Sequence, residues 1–305
     1  MPRKPVRPML AYSSRPFDSP RHLYEIKWDG TRCILFKEAG GVRLQNRRLL
    51  DITRRYPELG ELTGAIRAKT AILDGELVVF SGGLTSFPRL QEREHLDNPL
   101  KISLLSREMP ATYVAFDILY LDGRWRTARP LRERKKLLAR TLGLSERLLE
   151  SMYVAAEGRR FFEEAVKRGF EGAMAKDMES PYLPGKRSRY WLKIKPRGAE
   201  ICFIIGYTPG KGARSATFGA LALATPEEER WVYRGKVGTG FGEKEARRLR
   251  GKLEELRTAE PPSPSFRNIR EDIRWVRPEL RAEVLFQERT RDGMFRAPVF
   301  KRLIE

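Results

Sequence analysis

Glu25-Ile26-Lys27-Trp28-Asp29-Gly30-Thr31-Arg32 is the stretch on which the reading of this chain turns. Leu23 to Trp28 has the residues of a strand, so a lysine is presented from a strand with an acid and a glycine just behind it. A lysine amine is a nucleophile only without its proton, and it sheds that proton when cations crowd it. Four later segments hold the groups such an amine would use: Leu73-Asp74-Gly75-Glu76, Phe116-Asp117, Glu171-Gly172 through Lys176, and Trp191-Leu192-Lys193-Ile194-Lys195. If Trp191 to Lys195 is extended, Lys193 and Lys195 share a face and Leu192 and Ile194 take the other. Two cations on one wall suit a phosphate. Glu76 and Glu171 are sparse acids among many lysines, which fits a hard cation such as Mg2+ or Mn2+ that takes only one or two carboxylates and finishes its shell on substrate phosphates. Lys27, Asp29, Lys193 and Lys195 are therefore the catalytic candidates.

Composition points the same way. The chain has 305 residues, with 60 Lys and Arg against 40 Asp and Glu, a formal net charge of +20. So basic a balance usually marks a polyanionic partner. No apolar stretch approaches the roughly 20 residues of a spanning helix, and the basic N-terminus has no apolar run behind it, so a cytoplasmic protein without a membrane role is expected. Cys33 and Cys202 are far apart, which disfavours a disulfide framework or zinc site. With His22 and His95 the only histidines, chemistry built on histidine is a poor fit.

Outward from the opening stretch, residues 1–20 read as an extended arm. Strands are expected at Cys33 to Phe36, at Val42 to Leu44 after the Gly40-Gly41 turn, at Ala71 to Phe80 with a break at Asp74-Gly75, and at Tyr113 to Leu121. Helices are expected at Pro57 to Ala68, 130–142 and Phe161 to Lys167. A boundary is expected at Pro196-Arg197-Gly198. Beyond it, strand-like runs at Ile201 to Tyr207, Phe218 to Ala224, Trp231 to Val237 and Ala282 to Gln287, with one helix at Glu243 to Arg257, suit a small barrel such as an OB-fold. Gly206 to Gly212 is not a Walker loop, because its Gly210-Lys211 is followed by Gly212. Gly238-Thr239-Gly240-Phe241-Gly242 lacks the dinucleotide spacing. Both read as barrel loops whose Lys211, Arg214, Lys236 and Lys244 could follow a DNA backbone.

In order along the chain, Lys27-x-Asp29-Gly30, Asp74-Gly75-Glu76, Phe116-Asp117, Glu171-Gly172 with Lys176, and Lys193-x-Lys195 resemble the ATP-dependent DNA ligases. Ser180-Pro181-Tyr182, Gly206-Tyr207-Thr208, Phe218-Gly219-Ala220-Leu221 and Lys236 to Phe241 resemble in particular the ligase module of bacterial non-homologous end-joining enzymes. The resemblance implies an α+β chain: an antiparallel-sheet nucleotidyltransferase (adenylation) domain over 1–196 and an OB-fold domain over 197–305. It implies that Lys27 attacks the α-phosphate of ATP and keeps AMP. It also implies that Glu25 lies by the adenine, Phe116 stacks on it, Glu76 and Arg32 hold the ribose, Lys193 and Lys195 hold the phosphate, and Glu171 serves the metal. Arg47 falls where that family binds the 5′-phosphate of a nick. Here Asn46-Arg47-Arg48-Leu49 stands in place of the family's Ser-Arg-Asn-Gly, so Arg47 and Arg48 are both candidates. The family's C-terminal Asp-Lys pair is absent, and Arg296, Lys301 or Arg302 would substitute. The expected substrate is nicked double-stranded DNA at the nucleoid, the expected state a monomer, and a bacterial Ku-type end-binding protein a possible partner. An RNA ligase, a GTP-using capping-type enzyme and a non-catalytic DNA-binding module stay open as alternatives.

Overall fold

The computed structural model describes residues 4–304 apart from 229 and 291. Met1 to Arg3, at the start of the expected arm, and Glu305 lie outside the described residues. The chain divides after Lys195 into two compact units.

The first unit holds, in chain order, strands β1 (Leu10–Ser13), β2 (Ser19–Ile26), β3 (Thr31–Glu38), β4 (Gly41–Asn46), β5 (Ala71–Ser81), β6 (Ala111–Leu121), β7 (Tyr153–Ala156), β8 (Ala173–Asp177) and β9 (Arg187–Ile194). One sheet runs β1-β9-β8-β2-β7, and the other is built on β4-β3-β5-β6. Pairing is antiparallel except that β1 runs parallel to β9 in the first sheet and a short strand, Leu148–Glu150, runs parallel to β6 in the second. In β3 the side chains alternate, as a strand demands. Cys33 and Leu35 pack into a cluster with Leu59, Leu62 and Leu138, whereas Ile34 and Phe36 join Met9, Phe116 and Trp191. That second cluster takes side chains from both sheets, so the wall of the functional cavity is laid down with the core itself.

Helices α1 (Phe87–Glu94), α2 (Pro99–Glu108), α3 (Leu131–Thr141) and α4 (Gly158–Lys167) complete this unit. The expected helix over Pro57 to Ala68 forms as a 3-10 segment, Pro57–Glu61, and one α-turn, Leu62–Ala65. Gly60 and Gly64 weaken a longer helix there. The expected arm is also corrected. Met9 is fully buried, and Leu10–Ser13 is bonded to β9, because the apolar Met9-Leu10-Ala11 run gains more from joining the core than from solvent.

The second unit holds β10 (Gly198–Pro209), β11 (Phe218–Glu227), β12 (Arg230–Val237), α5 (Glu243–Glu255), β13 (Arg281–Phe286) and β14 (Val299–Ile304). Strand order is β12-β11-β10-β13-β14. Phe300 N donates to Thr239 O at 2.9 Å, which brings the last strand to the end of the third. Leu249 and Leu253 of α5 pack into the core with Leu221, Val284 and Phe300. A five-stranded barrel with its helix between the third and fourth strands is the OB arrangement. The chain is α+β throughout, with mostly antiparallel sheets.

Candidate active site

Strand β2 ends at Ile26, so Lys27 lies one residue beyond the strand that was expected to carry it. Its backbone N–H donates to Gly172 O at 3.0 Å. Gly172 has φ +139, and a Cβ there would stand 2.1 Å from Ile194 O. Only glycine lets these three backbones meet. Gly30 is equally constrained, since a Cβ would stand 2.1 Å from Leu77 O. Gly30 and Gly172 are both there for close backbone approach.

Around this junction the side chains converge. Glu171 bridges two ammonium groups: Lys27 Nζ donates to Oε2 and Lys195 Nζ pairs with Oε1. These three side chains are 20–27% exposed, so solvent and a ligand both reach them. A cavity of about 310 Å³ opens beside them, and Glu25, Lys27, Arg32, Arg47, Glu76, Phe116, Lys193 and Lys195 all line it. Trp191, Lys193 and Lys195 share the cavity side, while Leu192 and Ile194 pack among Tyr24, Ala173 and Ala175. Asp29 sits half-buried in the turn between β2 and β3.

Arg32 grips Asp74 with two hydrogen bonds, Nε to Oδ1 at 2.6 Å and a terminal nitrogen to Oδ2 at 2.5 Å. The Tyr182 hydroxyl donates to Asp74 Oδ2 at 2.6 Å and accepts from Met9 N at 2.9 Å. The guanidinium lies 4.6 Å from the centre of the Phe116 ring, and Lys176 Nζ lies 4.2 Å from it. Phe116 is therefore a π-face already dressed with two cations. Burial pushes the Glu76 carboxyl up to about 7, against the pull of Arg32 and Lys27.

A second carboxylate, Glu25, is buried between Lys135 at 3.0 Å and Lys176 at 2.6 Å. Burial alone would raise the Glu25 carboxyl, but Lys135 and Lys176 outweigh it and hold the group below the usual carboxylate value. Burial lowers the Lys176 ammonium, against the pull of Glu25. Asp74, Tyr182 and Lys135 were not among the expected site residues. Asp74 and Tyr182 stand inside quoted motifs, so their presence was visible but not their role. Lys135 gives no sequence signal, because it is one of five charged residues in a row on α3, Arg132 to Lys136.

Arg47 lines the cavity and Arg48 is exposed beside it. The turn carrying them is built by Asn46, whose Oδ1 accepts from Arg48 N at 2.9 Å and Leu50 N at 3.0 Å. Leu49 holds φ 69, a conformation a leucine adopts only at a cost and the one a glycine at this position takes freely.

In the second unit Lys211, Arg214 and Lys236 line one depression with Thr208, Pro209, Gly219 and Asp272. Arg214 donates to Gly238 O at 2.7 Å, and Lys236 pairs with Glu271 at 2.9 Å.

Two family models match this chain: the ATP dependent DNA ligase domain over residues 8–195 and the ATP dependent DNA ligase C terminal region over residues 214–305. The chain belongs to the ATP-dependent DNA ligase family. Among its relatives, the multifunctional non-homologous end joining protein LigD of Mycolicibacterium smegmatis is 34% identical over 301 residues, covering 97% of this chain and 38% of that protein. The DNA ligase of Thermococcus fumicolans is 34% identical over 252 residues, covering 78% of this chain and 45% of that protein. This ligase-family chain thus spans less than half the length of these curated relatives. Among solved structures, the ligase domain of M. tuberculosis LigD matches with a TM-score of 0.58 and 31% identity, over 98% of this chain and 95% of that one. A mycobacterial DNA ligase D complexed with ATP matches with a TM-score of 0.57 and 30% identity, again over 98% and 95%.

Proposed function

We propose that this chain seals nicks in double-stranded DNA at the expense of ATP, with residues 1–196 as the adenylation domain and 197–305 as the OB-fold domain. The observation that carries this reading is the convergence of Lys27, Lys193, Lys195, Arg32 and Phe116 on one cavity in a member of this family. In the first step the Lys27 amine attacks the α-phosphorus of ATP, a P–N bond forms, and pyrophosphate leaves. In the second, a 5′-phosphate oxygen at the nick attacks the same phosphorus and the P–N bond breaks. In the third, the 3′-hydroxyl attacks the activated 5′-phosphorus and AMP leaves with the electron pair. Such chemistry asks the protein mainly for alignment and charge neutralisation.

Lys193 and Lys195 hold the transferring phosphate, Glu76 and Arg32 the ribose, and Glu25 and Phe116 the adenine. Asp29 lies beside the nucleophile in the turn that presents it. Glu171 and Glu76 would hold Mg2+ or Mn2+. Among the described residues no group of three or more acidic, cysteine or histidine side chains gathers, which fits an ion that completes its shell on nucleotide phosphates. That ion would supply positive charge against the phosphates. Release of Lys27 by Glu171 would remove the carboxylate that favours its charged form and so help it act as an amine.

Arg47, on the cavity rim, takes the 5′-phosphate in preference to Arg48. Lys211, Arg214 and Lys236 follow the duplex backbone. We place the reaction at the nucleoid, in end joining, where a Ku-type end-binding protein is the expected partner. Failure of such a protein to stimulate ligation of ends would remove that part.

The test is the intact mass of the purified protein after incubation with ATP and Mg2+ or Mn2+. An AMP-sized gain is expected, and it should vanish in Lys27→Ala and in Lys27→Arg, whose guanidinium stays protonated. An alanine variant that gains the same mass would sink the assignment. Comparing ATP with GTP, and nicked DNA with nicked RNA, separates the ligase from a capping-type enzyme or an RNA ligase. DNA binding with no mass gain would indicate a non-catalytic module.

A further inference from the structure

Ser151 stands where the chain steps from one sheet of the first unit to the other. The short strand Leu148–Glu150 before it runs beside β6, and β7 after it begins at Tyr153 and pairs with β2. Ser151 is fully buried, and its N–H, carbonyl and hydroxyl each have a partner. The N–H donates to Ala115 O at 2.8 Å, next to Phe116. The carbonyl accepts from Lys135 Nζ at 2.8 Å, and that lysine is itself anchored by Glu25 at 3.0 Å. The hydroxyl oxygen accepts the Trp28 indole N–H at 3.0 Å, and Trp28 follows Lys27 in the chain.

These bonds form a short route between two parts of the cavity that different sheets carry. Phe116 belongs to β6, and Lys27 to the turn after β2. From Phe116 the route runs through Ala115 O, Ser151 and the Trp28 indole to Lys27. The Lys27 N–H ties the other side of the turn to Gly172 O. Gly172 leads into β8, which pairs with β2, so that tie fixes the lysine within its own sheet and not against β6. The Trp28 ring meets Phe80 and Phe170 edge-to-face, with centroids 6.5 and 6.0 Å away. Such contacts fill space, whereas a hydrogen bond also sets distance and direction. Direction matters at this point, because a displacement of about 1 Å in an attacking group can cost about a hundredfold in rate.

We infer that Ser151 is a positioning residue for the nucleophile: acting through Trp28, it sets the Lys27 amine against the Phe116 face of the cavity. This rests on the adenylation reading above. Trp28 lines the cavity and Ser151 does not. Loss of the Ser151 hydroxyl should therefore slow P–N bond formation and leave the binding of ATP as it was.

The experiment follows the AMP-sized mass gain of the full chain in a single turnover over a range of ATP concentrations. In Ser151→Ala the rate constant at saturating ATP should fall about tenfold to a hundredfold, while the half-saturating ATP concentration stays within about twofold of wild type. Trp28→Phe keeps an aromatic ring but has no N–H to donate, so it should be slowed by a similar factor. The double variant should be no slower than the slower single one, because the same hydrogen bond is lost only once. Effects that multiply in the double variant would overturn the inference. A Ser151→Ala chain that is less stable to urea yet adenylates at the wild-type rate would do the same, since that is what a merely structural serine predicts. A higher half-saturating concentration with an unchanged rate constant also counts against it. Where circular dichroism shows that Trp28→Phe is not folded, Ser151→Thr decides. Its hydroxyl should restore most of the rate lost in Ser151→Ala, and no recovery overturns the inference. A wild type that gains no mass from ATP would overturn the adenylation reading itself, and this inference with it. A wild type that gains it, with Ser151→Ala keeping pace, overturns the inference alone.

Discussion

Glu25 and Glu171 stand some way apart in the sequence and do the same thing on paper: each carboxylate lies between two lysines. Their surroundings separate them. Glu25, Lys135 and Lys176 are all but sealed from water, whereas Glu171, Lys27 and Lys195 are about a fifth to a quarter exposed. A sealed cluster cannot exchange partners cheaply, since each bare charge would face a low dielectric. A half-open one can, because water and incoming phosphates or ions replace what is given up. The molecule thus uses one motif twice, once sealed in the core and once half-open at the cavity where its partners can be exchanged.

The largest expected effect tests the sealed half. Glu25→Ala leaves Lys135 and Lys176 without their shared partner and should cost about 3–5 kcal/mol of unfolding free energy, measured by urea titration of the circular dichroism signal. Glu171→Ala should cost less than about 1 kcal/mol in the same titration while slowing AMP transfer to Lys27 by about a hundredfold, near 2.7 kcal/mol in the barrier. If the two variants lose equal stability, the contrast between the clusters is wrong.

Glu76 sharpens the comparison through pH. Its carboxyl titrates near 7 in the folded chain against 4.5 as the ordinary value, so the folded state binds the proton more tightly. The contribution is fully present below about pH 4.5 and is lost as pH rises through about 7. Relative to Glu76→Gln, the wild type should lose about 2 kcal/mol of stability across that window. A constant difference between the two chains from pH 4.5 to 7 would contradict the burial-driven shift.

Smaller effects probe the frame around Arg32. Tyr182→Phe removes one hydroxyl that joins Met9 to Asp74 and should cost about 1–2 kcal/mol, with a severalfold rise in KM for ATP and little change in kcat. Smallest of all is Arg48→Ala. It should weaken binding of nicked DNA only slightly, whereas Arg47→Ala should lower both affinity and the salt dependence by about one phosphate contact, seen in fluorescence anisotropy titrations at several salt concentrations.

Much of this was legible in the chain itself. The alternation of Trp191-Leu192-Lys193-Ile194-Lys195 already put the two lysines on one face, because a strand allows no other arrangement. The barrel strands and their helix were visible because periodicity and turn residues act locally. Two kinds of feature were not. The expected arm became a strand because Met9-Leu10-Ala11 finds its partner in β9, some 175 residues away, and nothing near it in sequence announces this. The Phe87–Glu94 helix is only eight residues long and seats an arginine, Arg93, beside Leu90 on its buried face, and the Pro99–Glu108 helix buries Ile102 alone, so neither shows in the chain as an apolar stripe.

The sequence by itself determined which chemical groups this protein owns and their order: one lysine before Asp29-Gly30, two later cations, a phenylalanine and a few acids. Covalent order and local periodicity suffice for that. Only the tertiary structure decided that Glu171 reaches across to Lys27, that Asp74 is spent on Arg32, and that Lys135 stands behind Glu25. Those pairings join residues dozens to well over a hundred positions apart, and their strength depends on how much water each site excludes, a quantity that exists only once the sheets have closed on one another.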